Sequence, residues 1–252
     1  MTAPRLSVQL YTLRDQVEAD YAGTLRAVAE LGYRAVELVT LGQYTPAELR
    51  AELDRNGLTA SGMHIPFERL TGQIDEVSTI AETLGFRHVI CPWLAPARRG
   101  DVDGYRQLVE ALAAAGAQYH ARGLQLGYHN HDFEFEPIGD TTALDLILGA
   151  TDARSLMLEL DVYWAAYAGL DPVATIQRYA DRLALVHLKD MARDPSRTFA
   201  EVGHGQLDVP AILAACDAAG VEWLVVEQDQ CTRPPLESVA MSLEYLRSLG
   251  RA

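Results

Sequence analysis

The sequence is short of positive charge. Against 35 Asp and Glu it sets 21 Lys and Arg, a formal net charge of −14. A surface of that sign repels a phosphate backbone, so no nucleic-acid partner is expected. Cysteine is scarce too. Cys91, Cys216 and Cys231 are an odd set without C-x-x-C spacing, so they suggest neither a disulfide framework nor a thiolate zinc site and read as reduced thiols. No apolar run approaches the ~18 residues of a membrane span, and the opening MTAPRLSVQLYT lacks a basic segment followed by an apolar stretch. A soluble, cytoplasmic protein with no membrane partner is expected. Glycine-rich phosphate loops are missing as well: no G-x-G-x-x-G follows the first apolar run, and no G-x-x-x-x-G-K-[ST] occurs. Dinucleotide and P-loop readings therefore lose their usual signature.

What the 252 residues do contain is an alternation that runs from one end to the other. Short runs rich in Val, Leu and Ile fall at 6–12, 34–39, 58–64, 87–93, 124–131, 155–161, 183–188 and 223–228. Between and after them lie segments of helical period at 20–31, 46–56, 72–84, 102–122, 141–149, 172–181, 209–219 and 236–249. Nearly continuous apolar strands are buried on both faces, which favours a parallel sheet. Gly32, Gly57, Gly85, Gly123 and Gly220 precede strands, where left-handed helix C-caps are expected. Eight βα units in this length predict an α/β fold, a single (β/α)₈ TIM barrel over residues 1–252, ahead of an open doubly wound sheet. The longest irregular stretch, 189–207, then reads as an active-site loop.

In such a barrel, reacting groups sit where strands exit, and the exits here are strongly polar. They carry Gln9 and Tyr11, then Glu37, His64, Cys91 and Trp93, then His129, Asn130 and His131, then Glu159 and Asp161, His187 and Lys189, Glu227 and Asp229. So many buried carboxylates and imidazoles are costly unless paired or metal-bound, and one divalent cation is the simplest compensation. Mixed carboxylate and imidazole ligation suits Zn, Mn, Fe(II) or Co, and Mg also stays open. Residues two apart share a strand face, so spacing alone does not choose within each pair. Rival structural roles exist: a packed His64, a helix N-cap at Asp161, a solvated Glu227 and Asp229, loop carboxylates at Glu134 and Glu136, and rim packing for Tyr11, Trp93, Tyr163 and Trp164. His88, His120 and His204 read as surface or structural residues, and Trp223 as core.

At SVQLYTLRD, GYHNHDFEF, ELDVYWAAYAGLDP, LVHLKDM, EVGHGQLDVPAIL and VVEQD the sequence resembles the xylose-isomerase-like TIM barrel superfamily over essentially its whole length. That group includes sugar isomerases and epimerases, inosose dehydratases and endonuclease IV relatives. The resemblance implies one divalent metal held by a strand-five Glu, a strand-six Asp, a strand-seven His and a strand-eight Glu. Asp161, His187 and Glu227 match the last three. At the first position this chain departs from the pattern, leaving His129 or Glu134 as the ligand. Trp164 replaces a His often found three residues after the Asp, which thins the site toward a mononuclear one.

The leading expectation is a metal-dependent isomerase or epimerase that abstracts a proton beside the carbonyl of a ketose or keto-polyol through an enediolate. His131, Lys189 and Glu227 are the expected catalytic groups, with Gln9, Tyr11, Glu37, His64, Trp93, Asn130, Trp164 and Asp229 toward substrate. A lyase or dehydratase on the same site is the alternative, and a non-catalytic polyol-binding barrel a third reading. A small sugar or polyol is the expected partner, and a homo-oligomer is left open.

Overall fold

A computed structural model of the chain describes residues 3–100 and 102–251. The eight apolar runs form eight strands: β1 (Arg5–Gln9), β2 (Ala35–Leu38), β3 (Thr59–His64), β4 (His88–Cys91), β5 (Gln125–His129), β6 (Met157–Asp161), β7 (Leu183–Leu188) and β8 (Trp223–Val226). All pair in parallel and in sequence order, and β8 returns to β1 in the register Arg5↔Trp223 to Val8↔Val226, closing the barrel. Closure leaves no unpaired edge in the barrel sheet. Around it stand α1 (Tyr21–Leu31), α2 (Pro46–Arg55), α3 (Ile74–Leu84), α4 (Val102–His120), α5 (Ala143–Gly149), α6 (Pro172–Arg178), α7 (Val209–Ala219) and α8 (Pro235–Ser248). The architecture is the expected (β/α)₈ barrel. No helix among the described residues is long and apolar enough to cross a membrane.

Local chemistry fixes the punctuation. Helix α2 starts at a capping box in which the Thr45 hydroxyl accepts from the Glu48 N–H, the Glu48 carboxylate accepts from the Thr45 N–H, and Pro46 occupies the first turn. The five glycines expected at helix ends all have positive φ, from 65° at Gly57 to 108° at Gly32. A β-branched side chain is strained there.

Strands β3, β6 and β7 end where the apolar runs do, while β1, β2, β4, β5 and β8 stop earlier, because the chain turns onto the rim. After Gln9, residues Leu10–Leu13 wind into a 3₁₀ turn. Helix α5 begins at Ala143 because Thr141–Thr142 pairs with Pro137–Ile138 as a small ribbon and Thr142 then caps the helix. The 189–207 stretch contains a second ribbon, Asp190–Met191 against Phe199–Ala200.

Inside the barrel, apolar layers give way to titratable ones toward the strand exits. Ile90, Met157, Leu185, Trp223 and Val225 cluster below. Two residues further along the same inward faces come Glu159, His187 and Glu227, all buried. Gly127 makes room in the lower layer, since a Cβ there would lie 2.6 Å from both Ile90 Cδ1 and Met157 Cε. The apolar plug thus forms a floor on which the polar layer rests.

Candidate metal centre

Two imidazoles and two carboxylates, His129, Asp161, His187 and Glu227, converge so that one ligand atom from each lies within 4.8 Å of the others, and all four are buried. His129 Nε2 stands 3.7 Å from Asp161 Oδ2, and His187 Nδ1 lies 2.7 Å from Glu227 Oε2. Their other ring nitrogens face down to a second layer. His129 Nδ1 is 3.0 Å from Glu159 Oε2, while His187 Nε2 is 2.8 Å from Glu37 Oε2 and 3.2 Å from Glu159 Oε2. His64 Nε2 completes that layer at 2.7 Å from Glu159 Oε2. Above, the Lys189 ammonium sits 2.9 Å from Asp161, 2.7 Å from Glu227 and 2.6 Å from Asp229.

The arrangement fits a divalent cation. Glu37 Oε1, Glu159 Oε1 and Asp161 Oδ2 are buried without a hydrogen bond. The Lys189 ammonium, 2.9 Å from Asp161 Oδ2, meets that oxygen as an ion pair. Buried carboxylate oxygens without partners are costly, and mixed imidazole and carboxylate donors suit Zn, Mn, Fe(II) or Co.

Electrostatics divides the imidazoles. Burial, reinforced by His187, pushes His129 down to about 3. Burial with His129 and Lys189 pushes His131 down to about 2. For His64, burial acts downward, but Glu37 and Glu159 outweigh it and raise the ring to about 9. Burial lifts Asp161 to about 6 against the pull of Lys189. Glu227 is buried too, yet Lys189 and His187 hold it well below the usual carboxylate range.

A cavity of about 480 Å³ opens above this layer, walled by Tyr11, His64, Trp93, His129, His131, Lys189, Glu227 and Asp229. Tyr11 and Trp93 form an aromatic lip, 43% and 45% exposed. His131 Nδ1 and Trp164 Nε1 are buried without partners, and their rings lie 5.3 Å apart. Trp164 stands behind His131 rather than in the cavity wall.

Four further expected site residues also lie outside the cavity wall. Gln9 is fully buried, donating to Glu37 Oε2 at 2.6 Å and accepting from the Tyr11 N–H. Glu37 lies beneath the imidazoles, away from the cavity. Asn130 is fully buried and accepts from the Asp161 N–H at 3.0 Å, tying the exits of β5 and β6 together. Glu134 accepts from the Tyr128 hydroxyl at 2.6 Å and from the His131 N–H at 2.7 Å, so both its oxygens are engaged within the loop that carries His131. Of the two rivals for the strand-five position, His129 is the one that stands beside Asp161.

Glu159 was read only as the companion of Asp161 on one strand face, yet it touches His64, His129 and His187. Alternation in MLELD gives only that shared face. Nothing in that pattern showed that three imidazoles meet there.

Comparison with known proteins agrees with this architecture. The chain is 28% identical over 266 residues to an inosose dehydratase of Geobacillus kaustophilus, covering 89% of this chain and 86% of that one. A sugar phosphate isomerase/epimerase from Parabacteroides distasonis superposes with a TM-score of 0.85 at 24% identity, covering 98% of this chain and 95% of the other. An IOLI protein with a bound zinc atom superposes with a TM-score of 0.77 at 12% identity, covering 97% of each. The family model for xylose isomerase-like TIM barrels matches residues 25–249, and the chain belongs to that family.

Proposed function

We propose that this protein is a divalent-metal-dependent enzyme that removes a proton beside the carbonyl of a polyhydroxy ketone, with dehydration as the favoured outcome. The observation that carries the reading is the convergence of His129, Asp161, His187 and Glu227 beneath a cavity walled by further proton-transfer groups. These four residues would hold the cation. Bound there, a divalent metal supplies a Lewis acid for the substrate's carbonyl and hydroxyl oxygens.

The remaining chemistry belongs to the chain. His131, an imidazole on the cavity wall that burial keeps neutral, acts as acceptor for the proton leaving carbon. Lys189, held by three carboxylates well above its ordinary pKa, acts as a fixed positive charge for the developing enolate. Burial lowers an isolated ammonium, but Asp161, Glu227 and Asp229 outweigh that effect. As the enolate re-forms its C=O, a double bond forms between the α and β carbons, the β C–O bond breaks, and the departing hydroxide takes the proton held on His131 and leaves as water.

The favoured outcome rests on an asymmetry. The two carboxylates that line the cavity, Glu227 and Asp229, both lie at the exit of β8, while Glu134 is engaged by Tyr128 and His131. Epimerisation by facing carboxylates therefore lacks its second group among the described residues. The inosose dehydratase relative supports the same order. Isomerisation or epimerisation is the second reading, with His131 returning the proton.

The test combines elemental analysis with deuterium exchange from heavy water into a panel of inososes and ketoses. We expect one divalent metal per chain, lost in Asp161→Ala and His187→Ala, with metal-dependent exchange and a dehydrated product. An epimer or isomer as sole product moves the assignment to the second reading. Absence of metal uptake removes the centre.

A further inference from the structure

Resting on the metal-centre reading, we propose that Glu159 and Glu37 are positioning residues that fix which nitrogen of His129 and of His187 faces the cation. Each imidazole spans two layers. His129 turns Nε2 toward Asp161 and Nδ1 toward Glu159, at 3.7 Å and 3.0 Å. His187 does the reverse, with Nδ1 toward Glu227 at 2.7 Å and Nε2 toward Glu37 at 2.8 Å. An imidazole whose one N–H is given to a carboxylate presents the lone pair of its other nitrogen, in a fixed ring orientation.

Independent features of the barrel point the same way. Strand register slips at both carboxylates, between Val36 and Glu37 in the β2–β3 pair and between Leu158 and Glu159 in the β6–β7 pair. Such irregularities re-aim a side chain. A Cβ on Gly62 would lie 3.1 Å from Glu37 Oε1, so glycine at that position leaves the carboxylate its space. Each carboxylate is itself held: Gln9 donates to Glu37 at 2.6 Å, and His64 Nε2 is 2.7 Å from Glu159. Both are fully buried and absent from the cavity wall. Their reach is to the imidazoles, not to substrate.

His64, His129 and His187 also cluster with Glu159 closely enough to hold an ion of their own. That arrangement would use His129 Nδ1 and His187 Nε2, the opposite faces from those proposed here.

The decisive experiment uses the whole wild-type chain labelled with ¹⁵N-histidine and loaded with Zn²⁺, alongside metal affinities of variants measured by competition with a chromophoric chelator. We expect His129 to keep its proton on Nδ1 and His187 on Nε2. Glu159→Gln and Glu37→Gln should each weaken Zn²⁺ binding by about 10- to 100-fold. Glu222→Gln, at the far end of the barrel, should leave it unchanged. The reversed tautomers would place the ion in the lower cluster and overturn the proposal, whether or not either variant folds. Wild-type affinity in both variants would overturn it as well. If the wild-type chain takes up no Zn²⁺ at all, it is the metal-centre reading that fails.

Discussion

Lys189 is the only lysine in the chain; the other basic residues among the 21 are arginines. It sits where a compact ammonium can meet three carboxylate oxygens at 2.6–2.9 Å, a geometry a planar guanidinium does not reproduce. The HLKD spacing placed Lys189 on the same face as His187 but could not show its three partners, which arrive from β6 and β8. Removing one partner of a buried charge cluster leaves the rest uncompensated. Lys189→Met in metal-free protein is therefore expected to lose about 3–5 kcal/mol, measured by urea unfolding in the presence of a chelator. A loss below about 1 kcal/mol would mean that the ammonium contributes no more than an exposed ion pair does.

At the scale of elements, the loop after β7 is organised by one buried side chain. Asp190 accepts four backbone N–H groups, from Met191 and Leu207 on Oδ1 and from Gly203 and Gly205 on Oδ2, at 2.7–3.0 Å. Gly205 has no room for a Cβ, which would lie 2.2 Å from Asp190 Oδ1. Asp190→Asn replaces one acceptor by a donor facing donors. Hydrogen exchange at Gly203, Gly205 and Leu207 should accelerate by at least tenfold while β1–β6 keep their protection; equal protection in the variant would show that the ribbon alone holds the loop. The sequence showed this stretch as an irregular active-site loop, because periodicity reports strands and helices. It is silent about a carboxylate that gathers distant amides. The same limit hid the three imidazoles around Glu159 and the hydrogen bonds of Gln9, Asn130 and Glu134. Inward or outward facing follows from alternation, but register slips and loop hydrogen bonds depend on neighbours from other strands.

Over the whole molecule, eight alternating units were enough to specify the barrel, and the polar strand exits carry the residues that converge in the candidate metal centre. Acidity then bears on stability. In metal-free protein, burial raises Glu134 to about 7, against the Tyr128 and His131 hydrogen bonds, and Asp161 to about 6. A carboxyl whose folded pKa exceeds its unfolded one binds more protons when folded, so stability falls as pH rises from about 4.3 toward those values. Glu222 behaves oppositely. Its hydrogen bond with His88 leads a set of effects that lower it to about 2, so its contribution is present above the ordinary carboxylate range and disappears as pH falls through about 2. The net charge of −14 adds self-repulsion that eases on mild acidification. Thermal unfolding in a chelator at constant ionic strength should therefore show Tm rising from pH 7.5 to about 5 and dropping between about 4 and 2. Loading the centre should flatten the first limb, because a carboxylate committed to a cation no longer gains by taking up a proton. If the limb is equally steep with and without metal, Asp161 is not a ligand, and the rise belongs to Glu134 and to relief of the overall charge.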